Sequence, residues 1–432
     1  MSGILVALCG FAVMLALMFA RVPIAIAMAA TGFFGIGMVS SWRAAFYVLR
    51  DAPYERASSY TFLVVPLFLM MGFAAARTDI SKALFRVANA WLGHLRGGLA
   101  VSAVMSSASF GAICGSSIAT SAAVCSAILP EMRRYRYGDA IATGSIAAGG
   151  TLGIMIPPSI IFIIYAIATE TSPARLLMAG IIPGLLGVFL ISLTILAWVR
   201  LRPEIAPPGI RSDWSERFTS LLGVWPIVLL FGVVIGSIYL GVATPTESAA
   251  FGVVGVLVLG VLRKTLSWAD FRAILTETAT TSAMIFVIII GADIFSYFIA
   301  ITRMPVELAQ WLGASGLSPQ IMLLGIFVIY ILLGAVMDEI SMLLLTLPVF
   351  FPLVNAMGVD AVWFGVMIVI MVQIGMLTPP VGINVYVVSG FARGVPVQTI
   401  FKGVLPLVGA LLVLALIIAI WPGLPSLLIP ET

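Results

Sequence analysis

Charge is what this sequence has least of. Asp, Glu, Lys and Arg make up 9% of its 432 residues, against roughly 25% in a soluble domain. No water-soluble core can hide a composition that is 62% hydrophobic, so lipid must solvate most of the chain. Histidine is nearly absent: His94 stands alone, which excludes a multi-histidine metal site. No phosphate loop of the GxxxxGK[ST] type occurs, so no ATP motor resides in the chain. Cysteine is scarce too. Cys9, Cys114 and Cys125 lie in apolar or small-residue stretches without metal-ligand spacing, as small buried side chains do. The net charge is only +4, and its basic residues separate apolar segments, so nucleic acid is not an expected partner. No plausible base adjoins Ser116, which removes support for nucleophilic catalysis.

What is present is a succession of apolar runs. Plain spans are expected at 3–20, 23–41, 60–77 and 175–199, then at 221–241, 246–262, 278–300 and 399–421. The first run has no basic region before it, and Arg21 follows it, so it is expected to be retained rather than cleaved as a signal. Residues 41–59 read as a polar loop. Residues 79–97 read as an amphipathic helix in the interface, with Lys82, Arg86 and Arg96 reaching headgroups while Leu84, Phe85, Val87 and Trp91 dip inward. A second such arm is expected over 303–314.

Four runs are interrupted. Residues 98–130 break at FGAICGSSIAT and residues 319–354 break at GAVMDEIS. Their arms are too short to span comfortably, which predicts re-entrant hairpins. Residues 138–170 break at GGTLGIMIPPS and residues 361–391 at GMLTPPVGIN, which predicts broken spans.

These features recur at a nearly fixed interval. Pro23 and Pro245, Pro130 and Pro352, Gly153 and Gly375, and Pro157-Pro158 and Pro379-Pro380 are each 222 residues apart. Trp91 and Trp311, like Gly93 and Gly313, differ by 220, and Gly111 and Gly334 by 223. A duplicated unit accounts for this register. The expected fold is an all-α polytopic membrane protein with two repeats, residues 1–200 and 221–432, joined by a cytoplasmic linker at 201–220. Each repeat holds five spans and one hairpin. An odd number of crossings inverts the second repeat, and inverted repeats with broken helices are a mark of secondary transporters. With the N-terminus outside, 17 of the 22 basic residues fall on the cytoplasmic side, as the positive-inside rule requires.

Non-helical backbone at membrane depth survives only inside protein or beside a watery cavity. Its freed carbonyl oxygens suit a hard cation, and its exposed helix N-termini suit a carboxylate. The expected solute-binding residues are Ser116, Ser117, Thr120, Ser159 and Asn384. The expected ion-binding residues are Gly115, Gly149, Thr151, Gly153, Gly334, Asp338, Gly375 and Thr378. Asp338 and Glu339 share the second hairpin tip, and either suits a cation. Asp293 also falls at membrane depth. Glu247, after Pro245, suits a helix N-terminal cap. Arg50 and Arg56 are expected to face outward, in a solvated loop or helping to hold an acidic partner or solute.

FGAICGSSIATSAAV (110–124), GDAIATGSIAAGGTLGIMIPPSIIFIIYA (138–166), ATPTESAAFG (243–252), GAVMDEIS (334–341) and TPPVGINVYV (378–387) together resemble the large membrane subunit of tripartite ATP-independent periplasmic (TRAP) transporters, the DctM-like family. The resemblance covers about residues 3–421. It implies a sodium-coupled importer of organic acids such as C4-dicarboxylates or sialic acid. It also implies an elevator-type fold, two partners (a periplasmic solute-binding protein and a separate small membrane subunit of about four helices) and a place in the bacterial inner membrane. It further implies one Na⁺ among Gly334, Gly375, Thr378 and nearby carbonyls, and another in the matching first-half elements, with no other cofactor. A stand-alone ion-coupled carboxylate symporter and a channel remain as alternatives on the residues alone.

Overall fold

The computed structural model describes residues 3–304, 306–308, 310 and 318–429. The second interfacial arm falls partly outside the described residues, as do Trp311 and Gly313. The described residues are α-helical with short 3₁₀ turns and contain no strand. Six helices are long and apolar enough to cross a membrane, or seven if one bent pair counts as a span. A polytopic membrane protein is the consequence.

The chain opens with α1 (Gly3–Phe19), α2 (Ile24–Val39), α3 (Trp42–Ser58), α4 (Val64–Ala76) and α5 (Ile80–Leu92). The expected polar loop is therefore wrong: residues 42–58 are the helix α3. Ser41 starts it by accepting a hydrogen bond from the Ala44 N–H at 3.2 Å. A 3₁₀ turn at Tyr60–Leu63 follows, and the α3–α4 pair bends by 60° there. On α5, Ile80, Ala83, Phe85 and Ala88 are buried while Lys82 and Arg86 are exposed, which is the expected amphipathic split.

Next come α6 (Gly98–Cys114) and α7 (Ser117–Arg134), joined by Gly115 and Ser116 alone. Gly115 has φ +67°, a left-handed turn that favours glycine. Then follow α8 (Asp139–Leu152), α9 (Ile160–Ala168), α10 (Pro173–Ala179) and α11 (Ile181–Leu201). The linker docks on the first half through Gly97 N–H to the Ala206 carbonyl and Gly138 N–H to the Ile205 carbonyl.

The remainder comprises α12 (Trp214–Tyr239), α13 (Pro245–Leu262), α14 (Trp268–Ile301), α15 (Pro319–Gly334), α16 (Glu339–Ala356), α17 (Ala361–Leu377), α18 (Ile383–Phe391) and α19 (Val397–Ile420). Glu247 completes a capping box with Thr244 at the start of α13, as expected of a cap. Helix α14 is 34 residues long and begins ten residues before the span expected at 278–300, because Ser267 and Asp270 form a second capping box. It packs along α2, where a Cβ on Gly32 would lie 2.7 Å from the Ile294 backbone. Only glycine allows this approach.

Helix boundaries follow the 222-residue interval. Helices α7 and α16 are both 18 residues long, and they start at Ser117 and Glu339. Helices α8 and α17 start at Asp139 and Ala361. Both break at a Pro-Pro pair whose bond is cis. Proline offers no N–H to continue the ladder, and α17 ends at Leu377, two residues before its pair, whereas α8 ends at Leu152 and gives way to turns ahead of Pro157.

Candidate solute and ion site

Each interrupted pair is closed by a glycine crossing. A Cβ on Gly153 would lie 2.7 Å from Gly111 Cα, and one on Gly375 would lie 2.8 Å from Gly334 Cα. Helix α6 thus meets the end of α8 backbone to backbone, and α15 meets α17 in the same way. Gly149 extends the first contact, its missing Cβ falling 3.0 Å from Ser107. The predicted ion-binding glycines therefore bring the chain's own backbones together.

The breaks are also tied to the hairpin tips. Val381 and Gly382 both donate backbone N–H groups to the Ala335 carbonyl, at 3.1 and 3.0 Å. Gly382 has φ +58°, and its missing Cβ would lie 3.2 Å from the Thr378 carbonyl oxygen and 3.4 Å from that of Met376. In the first half, the missing Cβ of Gly115 faces the Pro158 carbonyl oxygen at 3.2 Å. Two carbonyl oxygens thus lie beside Gly382 at the second break, and one carbonyl oxygen of the first break lies beside Gly115.

Three of the helices entering this region are capped by predicted site residues. Ser116 accepts from the Ala119 N–H at 3.4 Å, Ser159 from the Phe162 N–H at 3.5 Å, and Asp338 from the Ser341 N–H at 3.0 Å. Ser159 also donates to the Ile154 carbonyl, so its hydroxyl is used locally. Thr151 donates to the Ala148 carbonyl at 2.8 Å, and Thr378 to the Ile374 carbonyl at 2.6 Å.

Both hairpin tips line one cavity of about 190 Å³. Gly115 and Ser116 come from the first tip, and Asp338 and Glu339 from the second. Leu69 and Phe73 of α4, Ile154, Ile160 and Ile161 of the first broken segment, and Thr281, Met284 and Ile285 of α14 also line it. Of the predicted residues, the cavity brings together Gly115, Ser116 and Asp338. Ser117, Thr120, Ser159 and Asn384 are fully buried and do not line it. Ser117 nevertheless ties the halves together, with its hydroxyl donating to Glu339 Oε1 at 3.3 Å. The hydroxyl of Thr120 and the amide of Asn384 are buried without partners, as is the amide of Gln373. Gln373 was not among the predicted site residues. Its signal was available: an amide inside the otherwise apolar run of α17.

The partner of Arg56 is not evident from the sequence. Arg56 is not solvated in a loop. It forks onto Asp293 of α14, with the Nη2–Oδ1 bond at 2.6 Å. This pair lines a second cavity, beside Ile164, Leu344 and Phe351. Arg50 stays exposed, stacked 5.5 Å from the Tyr47 ring centroid.

The family described as "Tripartite ATP-independent periplasmic transporter, DctM component" matches residues 11–424. A C4-dicarboxylate TRAP transporter large permease protein of Pseudomonas aeruginosa is 34% identical over 88% of each chain. A sialic acid TRAP transporter large permease protein of Vibrio cholerae is 33% identical over 86% of this chain and 87% of its own length. Among solved structures, the YdaH transporter of Alcanivorax borkumensis shares the fold with a TM-score of 0.61, at 17% identity and 90% coverage of each chain. With the family match spanning both hairpins and both breaks, this chain belongs to the DctM component family of tripartite ATP-independent periplasmic transporters.

Proposed function

We propose that this chain is the large permease of a sodium-coupled importer that moves an organic acid across the bacterial inner membrane. A periplasmic binding protein delivers the solute, and a separate small membrane subunit of about four helices completes the complex. The chain is not an enzyme: it moves a solute without changing it. Residues 1–200 and 221–432 are inverted repeats around the linker 201–220. Both hairpins and both broken spans move together, as an elevator, against the remaining helices.

The observation that carries this reading is the single cavity formed by both hairpin tips, Gly115 and Ser116 with Asp338 and Glu339. A solute held there touches both halves, so its binding senses the geometry of each. Na⁺ is held by carbonyls around the two breaks, with Gly115, Gly149, Thr151 and Gly153 framing one site and Gly334, Asp338, Gly375 and Thr378 the other. The solute carboxylate faces the start of α7 at Ser116 and Ser117, where free N–H groups favour an anion. Thr120, Ser159 and Asn384 hold the walls behind it.

The test is uptake into proteoliposomes containing this chain and the small subunit, with the binding protein added outside. Uptake is expected with a sodium gradient and lost when K⁺ replaces Na⁺. Equal uptake in K⁺ would remove the coupling, and uptake by this chain alone would remove the tripartite arrangement.

A further inference from the structure

The cavity between the hairpin tips is unbalanced in charge. Among the described residues its lining includes two carboxylates, Asp338 and Glu339, and no lysine, arginine or histidine. Asp338 already accepts a hydrogen bond from the Ser341 N–H. Glu339 differs. It is 8% exposed, its Oε1 meets only the Ser117 hydroxyl, and its Oε2 has no partner. A buried carboxylate oxygen without a donor is costly, and more so at membrane depth. A donor or a positive charge arriving from the cavity relieves that cost.

The rest of the lining narrows the chemistry of that arrival. Among the described lining residues Phe73 offers the only aromatic ring, and Leu69, Met284 and Ile285 are apolar. An alkylated cationic nitrogen suits such walls, because a ring face attracts it without hydrogen bonds. The first turn of α7 supplies N–H groups for one carboxylate. A second carboxylate would meet Glu339, whose Oε2 has no partner among the described residues, with no cationic side chain in the described lining to offset the repulsion.

We propose, building on the carboxylate-importer reading above, that the site selects a zwitterion. Its carboxylate lies at the start of α7, its cationic nitrogen lies against Glu339 and Phe73, and dicarboxylates are rejected.

The test uses the purified full chain in lipid nanodiscs, with glycine betaine, propionate and succinate as probes, each in Na⁺ and in K⁺. In Na⁺, glycine betaine is expected to bind at least about tenfold tighter than propionate, a ratio typical of one desolvated charge contact. Succinate is expected to bind more weakly still. Glu339→Gln is expected to bring the betaine-to-propionate ratio close to one while sodium dependence persists. Phe73→Leu, which leaves both carboxylates in place, is expected to weaken betaine alone, so the test survives if Glu339→Gln does not fold. Succinate binding as tightly as betaine, or an unchanged ratio in the variants, would overturn the proposal. Loss of sodium dependence in Glu339→Gln with the ratio intact would overturn it too, because the carboxylate would then be an ion ligand. If no probe binds more tightly in Na⁺ than in K⁺, the importer reading itself fails and this inference falls with it.

Discussion

Residues 98–170 and 319–391 share a backbone plan and differ in chemistry. Both contain a short hairpin, a glycine-on-glycine crossing and a break at a Pro-Pro pair. The first tip turns in two residues, Gly115 and Ser116, and is capped by a hydroxyl. The second turns in four, residues 335–338, and is capped by a carboxylate. Polar groups in the first segment are mainly hydroxyls: Ser107, Ser117, Thr120 and Ser121 are all buried. The second adds a buried acid and two buried amides, Glu339, Gln373 and Asn384. The backbone geometry is alike, and the charge lies on one side. A cavity between two such tips is polar in one direction, which a solute with distinct ends can read.

The sharpest way to break this comparison is to enlarge the crossings. Gly153→Leu and Gly375→Leu should each abolish uptake and lower the melting temperature strongly. The added Cβ meets glycine backbone under 3 Å away, and no rotamer relieves it. Tolerance at one crossing and not the other would show that the two are not equivalent. A smaller effect is expected at the hydroxyls. Thr151→Val and Thr378→Val should each raise the sodium concentration for half-maximal uptake by about three- to tenfold, the scale of one lost hydrogen bond. Unchanged sodium activation in both variants would contradict the ion placement. The smallest effect belongs to a cap away from the cavity. Ser159→Ala should cost about 1 kcal/mol of stability by thermal unfolding and leave sodium activation as it was. A changed sodium response there would move Ser159 from the wall into the site.

Punctuation made much of this arrangement legible in the sequence. Glycine and proline mark the breaks because few other residues can end a helix at membrane depth, and their paired spacing gave the register. Side-chain direction was not legible. Asp338 and Glu339 are neighbours, and only the structure separates the one that caps α16 from the one buried against Ser117. Long-range pairing was hidden as well, since Arg56 and Asp293 lie 237 residues apart. Helix α3 is hard to read from the sequence because its polar residues suggest a loop. Ser41 at its start was the available signal of a helix.

The central claim is that the two halves are inverted across the membrane. Thiol labelling with a membrane-impermeant reagent tests it most directly. In a chain with Cys9, Cys114 and Cys125 replaced, single cysteines would stand at Arg134 and Ala356, the last residues of α7 and α16. The account predicts labelling of position 134 from the cytoplasmic side only and of position 356 from the outer side only. Labelling of both from the same side would contradict it.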